Sequence, residues 1–258
     1  MSNTSTIYSD SPPERIEQLI AELDRRKKER DATASPIGVE ACLLAKELGD
    51  KKLWIKAATA LTHYYTDITS EFDKAISYIK EMIETLDDEE DAEVKSEFYR
   101  RLGLNYDYIG ELAHSKQAYD NSVQLLEHKK DLSEPGFLTL ARSLFNQSII
   151  YGDLGLETLK KEYLHRAFGY FQKASYRPGI ARCYISFGVD AYEKKEVEKS
   201  LTFYEKAIAI AAEINDIPPY CVALGNSGIA YADLGAKEKA VACAEKSIEL
   251  VKNQTNKD

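Results

Sequence analysis

Apolar residues recur along most of the chain at spacings of three and four residues, which is the period of an amphipathic α-helix. One such stretch places apolar side chains on a single face at Leu201, Tyr204, Ala207, Ile208 and Ala211. Short segments that contain glycine separate the helical patterns, as at 108–111, 153–156 and 233–236. Glycine suits these positions because the end of a helix often needs a residue in the left-handed conformation. The pattern therefore predicts an all-α chain of helices joined by short turns.

The helical pattern also repeats at a nearly fixed interval. Gly188 and Gly228 stand forty residues apart in the related sequences SFGVDA and NSGIAY. The same template fits upstream at Ser148, at Gly103 and, in a degenerate copy, at His63. Successive positions are separated by 40, 45, 40 and 40 residues, and the longer step contains an inserted loop. Self-similarity of this kind indicates a repeat architecture.

Each repeat is predicted to be a pair of helices that cross closely. Small residues follow the glycine position after 12 and 19 residues, because a large side chain at a close crossing would overpack the core. The last copy has a glycine, a tyrosine, a second glycine and two small residues at Gly228, Tyr231, Gly235, Ala240 and Ser247. The copy at Gly103 matches as fully, whereas the copy at Ser148 departs at Lys160. This spacing resembles the tetratricopeptide repeat (TPR) family. The period exceeds the usual 34 or so residues, so the resemblance is to long variants such as those of kinesin light chains and Rap-type bacterial regulators.

The resemblance implies a right-handed α-solenoid, or superhelix, of about six helix-turn-helix pairs. The predicted organisation is a flexible tail at 1–11, a single solenoid domain at 12–252 and a flexible tail at 253–258. Within the solenoid, 12–50 is predicted to be a diverged capping pair, and 52–252 to hold five TPR units. Ser11 and Glu14 have the spacing of a capping box, which predicts that the first helix begins there.

The last helix is predicted to span about Ala236 to Lys252 and to leave one apolar face uncovered. That face consists of Val241, Ala244, Ile248 and Val251. An uncovered apolar patch usually marks an interaction surface. Three outcomes follow: the edge stays partly exposed, a partner subunit covers it in a homodimer through this helix, or a further domain covers it.

Composition limits the function. The chain has 258 residues, 44% of them apolar, and a net charge of −9. Phosphate binding needs a basic footprint, so we expect no general binding of nucleic acid. No secretory signal or membrane span is visible, which predicts a cytoplasmic protein with no membrane partner. The four cysteines and four histidines share no metal-ligand spacing, and no nucleotide or nucleophile motif is present. We therefore predict no metal, no cofactor, no catalytic residues and no enzyme activity.

In TPR proteins the first helix of each pair lines a concave groove, and the resemblance implies the same here. The predicted peptide-binding residues of this groove are Asn146, Asn226, Ser186, Arg142, Arg182, Arg100, Arg101, Tyr64, Tyr108, Tyr192 and Phe145. Asparagine can both donate to and accept from the backbone of an extended peptide, and long-repeat relatives use an asparagine at the place of Asn146 and Asn226. The planar fork of arginine suits carboxylates, and aromatic rings supply rigid contact area.

The predicted function is a non-catalytic scaffold whose groove holds an extended peptide segment that is acidic or carries a free C-terminus. The partner is thus a protein or peptide. The alternative is a regulatory or sensor domain of a bacterial signalling protein, which controls a separate output domain or partner. A purely structural interpretation of the groove residues also stays open. In it, the asparagines bond neighbouring backbone, and the arginines pair with Asp107, Asp153 and Glu193.

Overall fold

A computed structural model describes residues 11–255, with side chains placed through residue 253. Residues 1–10 of the predicted N-terminal tail at 1–11, and the last three residues of the chain, lie outside this part of the chain. Residues 11–255 contain no strand and form twelve helices: α1 (Pro12–Lys28), α2 (Ser35–Leu48), α3 (Lys51–Tyr64), α4 (Phe72–Thr85), α5 (Ala92–Tyr108), α6 (Leu112–Leu126), α7 (Glu134–Asp153), α8 (Glu157–Lys173), α9 (Arg177–Glu193), α10 (Val197–Glu213), α11 (Ile217–Asp233) and α12 (Lys237–Thr255). A π-helical turn, Tyr65–Thr69, continues α3.

The helices are grouped in successive pairs, so the predicted all-α class and the six pairs are confirmed. They fall into two compact units, α1–α6 and α7–α12. The assignment of residues 12–252 to a single domain stays a prediction.

The start of α1 and the end of α12 can be compared with the bounds that the sequence predicts. The capping box of α1 is present, with the Ser11 backbone N–H donating to Glu14 Oε2 at 2.9 Å. Helix α12 extends to Thr255, and the flexible tail at 253–258 stays a prediction.

Close helix crossings within the pairs are built from a glycine against an aromatic ring. A Cβ atom added to Gly103 would lie 2.7 Å from Tyr119 Cε1, and one added to Gly188 would lie 2.3 Å from Tyr204 Cε1. Both tyrosines are almost completely buried. Only a residue without a side chain therefore fits at these two crossings, which is the physical reason for the glycines that mark the repeat.

The turns inside the pairs share one backbone conformation. The residue seven positions after the glycine position of a repeat has a positive φ. The value is 79° at Gly110, 71° at Gly155 and 72° at Gly235. The equivalent positions without glycine adopt it as well, with φ of 54° at Ser70 and 64° at Lys195. A left-handed residue ends each first helix and directs the chain into the second. The turn geometry is thus kept even where the sequence lacks the residue best suited to it.

The lysine that departs from the TPR pattern has a structural explanation. Lys160 occupies the small-residue position of its repeat, and its aliphatic chain passes beside Gly152, where an added Cβ would lie 3.2 Å from Lys160 Cδ. Its Nζ then reaches Asp190 of the next pair, 2.7 Å from Oδ1. The Asp190 side chain is only 9% exposed. A glycine and a buried carboxylate therefore accommodate a residue that would otherwise overpack this crossing.

Candidate functional site

The first helices of the second unit, α7, α9 and α11, each present a polar side chain at the same place in the repeat. Asn146, Ser186 and Asn226 are all half-buried. Among the described residues, none of the three makes a side-chain hydrogen bond to another residue. The neighbouring serines behave differently: Ser148 Oγ donates to a backbone carbonyl at 2.6 Å and Ser227 Oγ at 2.8 Å. The amides of the two asparagines are therefore available for a ligand, and the predicted backbone-bonding alternative does not apply to them.

Arg142 on α7 is held in place by an aromatic ring instead of an acidic residue. Its Nη2 donates to the hydroxyl of Tyr176 at 3.0 Å, and its Cζ lies 4.9 Å from the centre of the same ring. Tyr176 stands at the N-cap of α9 and was not predicted, because the repeat template assigns no role to residues between pairs. The partner of the Arg142 guanidinium is a neutral hydroxyl and ring, which leaves the guanidinium suited to a carboxylate.

Arg182, at the equivalent place on α9, is exposed. Within residues 11–255 it forms no ion pair. Of the acidic residues that could pair with these arginines, Glu193 instead lies 3.6 Å from Lys160 Nζ. The structure therefore supports neither Arg142 nor Arg182 as half of a surface salt bridge.

Two predicted aromatic residues of this unit are partly committed to contacts inside the protein. Phe145 is half-buried, and its ring centre lies 6.4 Å from that of Phe171. The Tyr192 hydroxyl donates to the Asp233 carboxylate, and this hydrogen bond raises the pKa of Tyr192. That bond ties α9 to α11 at equivalent turns. Both residues are only partly buried, so both stay candidates for the groove surface, with orientations restricted by these contacts.

The first unit corrects the prediction for Tyr64. This residue is fully buried, its hydroxyl accepts from the Ala34 backbone N–H at 2.9 Å, and it donates to the Asp31 carbonyl at 2.5 Å. It therefore fastens the loop between α1 and α2 and cannot contact a peptide. The degenerate repeat at His63 is where α3 widens into the π-helical turn, which makes the repeat template unreliable there.

Arg100 and Arg101 are also corrected. Both guanidinium groups bond to Glu97: Arg100 Nη2 lies 2.6 Å and Arg101 Nε 2.9 Å from Oε1. Arg100 is 8% exposed. Burial lowers the pKa of Arg101 to about 10, which leaves it charged at neutral pH. These arginines belong to an ion-pair cluster of α5, so they are poorly placed to bind a ligand carboxylate.

Tyr108, at the end of α5, is the one predicted aromatic residue of the first unit that stays available. It is 57% exposed, and its ring centre lies 5.0 Å from that of Phe72.

His63, on α3, has a shifted pKa. Burial lowers the pKa of His63 to about 3, with the charges of Arg101 and Lys27 acting in the same direction. His63 is therefore neutral at physiological pH.

Within residues 11–255, no cluster of three or more His, Cys, Asp or Glu side chains is arranged to hold a metal ion. The same residues include no helix with the length and hydropathy required to span a bilayer. Burial raises the pKa of the Cys42 thiol to about 12 and also raises that of Cys183. Those two thiols are therefore poor nucleophiles.

Comparison with known proteins identifies the fold. No protein-family model matches the chain, and no curated protein matches it. Among solved structures, it is similar to BtubC (BKLC) from P. vanneervenii, with a TM-score of 0.66 and 19% identity over 93% of this chain and 92% of that one. It is also similar to a Rap protein solved in complex with competence and sporulation factor, with a TM-score of 0.70 and 12% identity over 97% of this chain and 68% of that one.

A third similar structure is the Signal Transduction ATPase with Numerous Domains (STAND) protein of Pyrococcus horikoshii, which contains a tetratricopeptide repeat sensor. The TM-score is 0.73 with 14% identity, over 97% of this chain but only 39% of that one. Identities this low establish a common fold and no more. The fold of the chain is thus of the TPR type, as its repeat spacing predicts.

Proposed function

We propose that the chain is a non-catalytic scaffold of the cytoplasm whose second unit holds an extended peptide along α7, α9 and α11. The observation that carries this proposal is the set of free polar side chains at one repeat position, Asn146, Ser186 and Asn226. A partly exposed amide without a protein partner can exchange its hydrogen bonds with water for hydrogen bonds to a peptide backbone, which offers both a donor and an acceptor.

The proposed peptide is acidic or ends in a free carboxylate. Arg142 and Arg182 lie four residues before Asn146 and Ser186 respectively, one helical turn away on the same helix face. Neither arginine is neutralised by an acidic side chain among the described residues. Phe145 and Tyr192 add rigid apolar contact area. Tyr108 stays a candidate for a separate contact on the first unit, whereas Tyr64, Arg100 and Arg101 are no longer included.

Selection from a displayed peptide library with free C-termini tests the proposal. Peptides enriched on the full chain are synthesised, and their affinities are measured by fluorescence polarisation. We expect the double variant Asn146→Ala/Asn226→Ala to bind roughly thirtyfold more weakly, because about 2 kcal/mol of hydrogen bonding is lost. We expect Arg142→Ala/Arg182→Ala to bind weakly and with less dependence on salt.

The matched control is Asn121→Ala/Arg166→Ala, which removes an asparagine and an arginine from second helices α6 and α8. Asn121 accepts from Gln117 at 3.0 Å, and the Arg166 guanidinium lies over Tyr163, so both are engaged away from the proposed surface. The control should bind like the parent protein. Failure to enrich any peptide, or equal affinity of the asparagine double variant and the parent, would contradict the proposal.

The alternative is a regulatory or sensor role. The similarity to the sensor part of the STAND protein favours it, because that TPR module belongs to a larger signalling protein. In this role, peptide binding would change the association with a separate output domain or partner. Proteins that co-purify with the chain from its native cells would be identified, and their affinity measured with and without the selected peptide. An affinity that the peptide does not change would reject regulation and leave the scaffold role.

A further inference from the structure

The outer face of α12 differs from the same face of the second helices of the four preceding pairs, α4, α6, α8 and α10. Val251 is 49% exposed, whereas its four repeat equivalents are at most 4% exposed: Leu86, Leu126, Phe171 and Ala211. Ala244 is exposed, whereas its equivalents are at most 2% exposed: Ile79, Tyr119, Leu164 and Tyr204. Val241 and Ile248 on the same face are 55% and 54% exposed. The last helix thus carries apolar residues at positions that are covered in the other repeats.

The other side of α12 packs against α11. Its half-buried residues include Cys243 and Ser247, and the Ser247 carbonyl lies 3.8 Å from Cys221 Sγ of α11. The helix therefore packs on α11 through one side and exposes a second apolar stripe on the other. A fully solvated surface helix would carry polar residues there, so an exposed apolar stripe is suited to a covering element.

The spacing of the stripe identifies the kind of element that fits. Val241, Ala244, Ile248 and Val251 follow one another at three, four and three residues, which is the a–d–a–d pattern of two coiled-coil heptads. The pattern is symmetric about Lys246. When a second α12 is placed antiparallel, Val241 lies opposite Val251 of the partner subunit, and Ala244 opposite Ile248 of the partner subunit. A small residue then meets a large one in each inner layer, as close packing requires.

We propose that this stripe is the interface of a homodimer, in which α12 pairs with α12 of a second copy in antiparallel orientation. A two-fold interface must be self-complementary, and both the apolar sizes and part of the charge pattern meet this condition. Glu238 and Lys252 flank the stripe on its solvent side. In the antiparallel arrangement, Glu238 lies near the partner's Lys252, and Lys252 lies near the partner's Glu238. Glu245 flanks the two-fold axis and faces its own counterpart, which opposes association.

Sedimentation velocity of the full chain between 1 and 200 µM tests the dimer, at roughly the concentrations where so small an interface should dissociate. We expect the parent protein to pass from a 29.1 kDa monomer to twice that mass as concentration rises. Ile248→Glu should stay monomeric throughout. Ile149→Glu is the control, because Ile149 is a comparably exposed isoleucine on α7. Circular dichroism confirms that both variants keep the helical fold.

Glu245→Gln provides a test in the opposite direction. Removal of the like-charge contact at the axis should tighten the dimer about three- to tenfold at low salt. A neutral change at Glu249, on the far side of the helix from the axis, should leave the dissociation constant unchanged.

The orientation is tested with single cysteines in a Cys221→Ser/Cys243→Ser background. An equimolar mixture of Ala244→Cys and Ile248→Cys proteins should be joined by a short bis-maleimide far more than either protein alone. Preferential joining of Ala244→Cys to itself would overturn the antiparallel arrangement. A monomer at every concentration, or a dimer that Ile248→Glu does not weaken, would overturn the interface, and a different protein or a further helix would then cover the stripe.

Discussion

The ring of Tyr204 lies directly over the Cα atom of Gly188, so close that a single added methyl carbon would stand 2.3 Å from Cε1. The two residues belong to the two helices of one pair, α9 and α10, and Tyr204 is 2% exposed. A larger residue in place of Gly188 would therefore separate the two helices, and a smaller residue in place of Tyr204 would leave a void.

Gly188→Ala is expected to lower the free energy of unfolding by about 2 kcal/mol, because the Tyr204 ring cannot move without displacing buried neighbours. Urea titration followed by circular dichroism measures the change. Gly169→Ala on α8 is the control, since an added Cβ there meets no atom within 4 Å. That change should raise stability by about 0.5–1 kcal/mol, because alanine is the better helix former. Equal effects of the two substitutions would contradict the close crossing.

Lys160→Ala restores the small residue of the TPR pattern, yet it is expected to destabilise the protein by about 3 kcal/mol. The substitution leaves the buried Asp190 carboxylate without the ammonium group 2.7 Å away. In the double variant Lys160→Ala/Asp190→Ala the loss should be mostly recovered. A double-mutant cycle in urea yields the coupling energy. Additive effects of the two single changes would show that the ion pair is not what accommodates Lys160.

Lys195→Gly is expected to raise the free energy of unfolding by about 0.5–1 kcal/mol. The residue has φ of 64°, which costs a residue with a side chain more than it costs glycine. Its neighbour Lys194 serves as the control, because its φ of −81° is ordinary. Lys194→Gly should destabilise by a similar amount, since glycine loses more backbone entropy. Thermal unfolding of the two variants beside the parent distinguishes them by the sign of the shift.

His63 is expected to make the protein less stable in mild acid. Burial lowers its folded pKa to about 3, while the unfolded chain takes up a proton near 6.5. The unfolded state therefore binds more protons than the folded state between these values, and stability falls as pH decreases through that window. The contribution is absent above about pH 7 and should reach about 2 kcal/mol at pH 5.

Comparison of the parent protein with His63→Gln isolates this effect from the carboxylates, which titrate in both. Urea unfolding at pH 7.5 and pH 5 should show a smaller loss of stability for the variant. Asp67 and Glu97 favour the charged imidazole, so they limit the size of the effect. The exposed His114→Gln serves as the control. A parent and a His63→Gln protein with identical pH dependence would contradict the buried, neutral imidazole.

The sequence was sufficient where one local rule decided the structure. The spacing of Gly103, Gly188 and Gly228 predicted the helix pairs, because close crossings and left-handed turns leave few alternatives in residue type. It also located Asn146 and Asn226 on equivalent turns of first helices. Whether their amides were free could not be predicted, since that depends on what lies within hydrogen-bond distance after folding.

The sequence wrongly assigned Tyr64, Arg100 and Arg101 to the groove, because each of these side chains bonds to another residue of the folded chain. Tyr64 is the last residue before the π-helical turn, and its hydroxyl accepts from the backbone of a loop some thirty residues earlier in the chain. Arg100 and Arg101 share Glu97, a position that the repeat template treats as groove lining. The spacing of three and four residues from Glu97 allows both pairs, but whether the arginines take up this carboxylate or face solvent depends on their burial after folding.

The two residues that meet at a helix crossing limit each other's size, and this limit also applies to the substitutions that evolution can accept at them. The pairs Gly103/Tyr119, Ser148/Leu164 and Gly188/Tyr204 match a smaller residue to a larger one sixteen positions later. A lineage that enlarges the first member must shrink the second, so substitutions at these sites should appear together in descendants. Gly228 and Ala244 escape the constraint because Ala244 is exposed and does not fill a crossing, so the residue at position 244 can change without a matching change at Gly228.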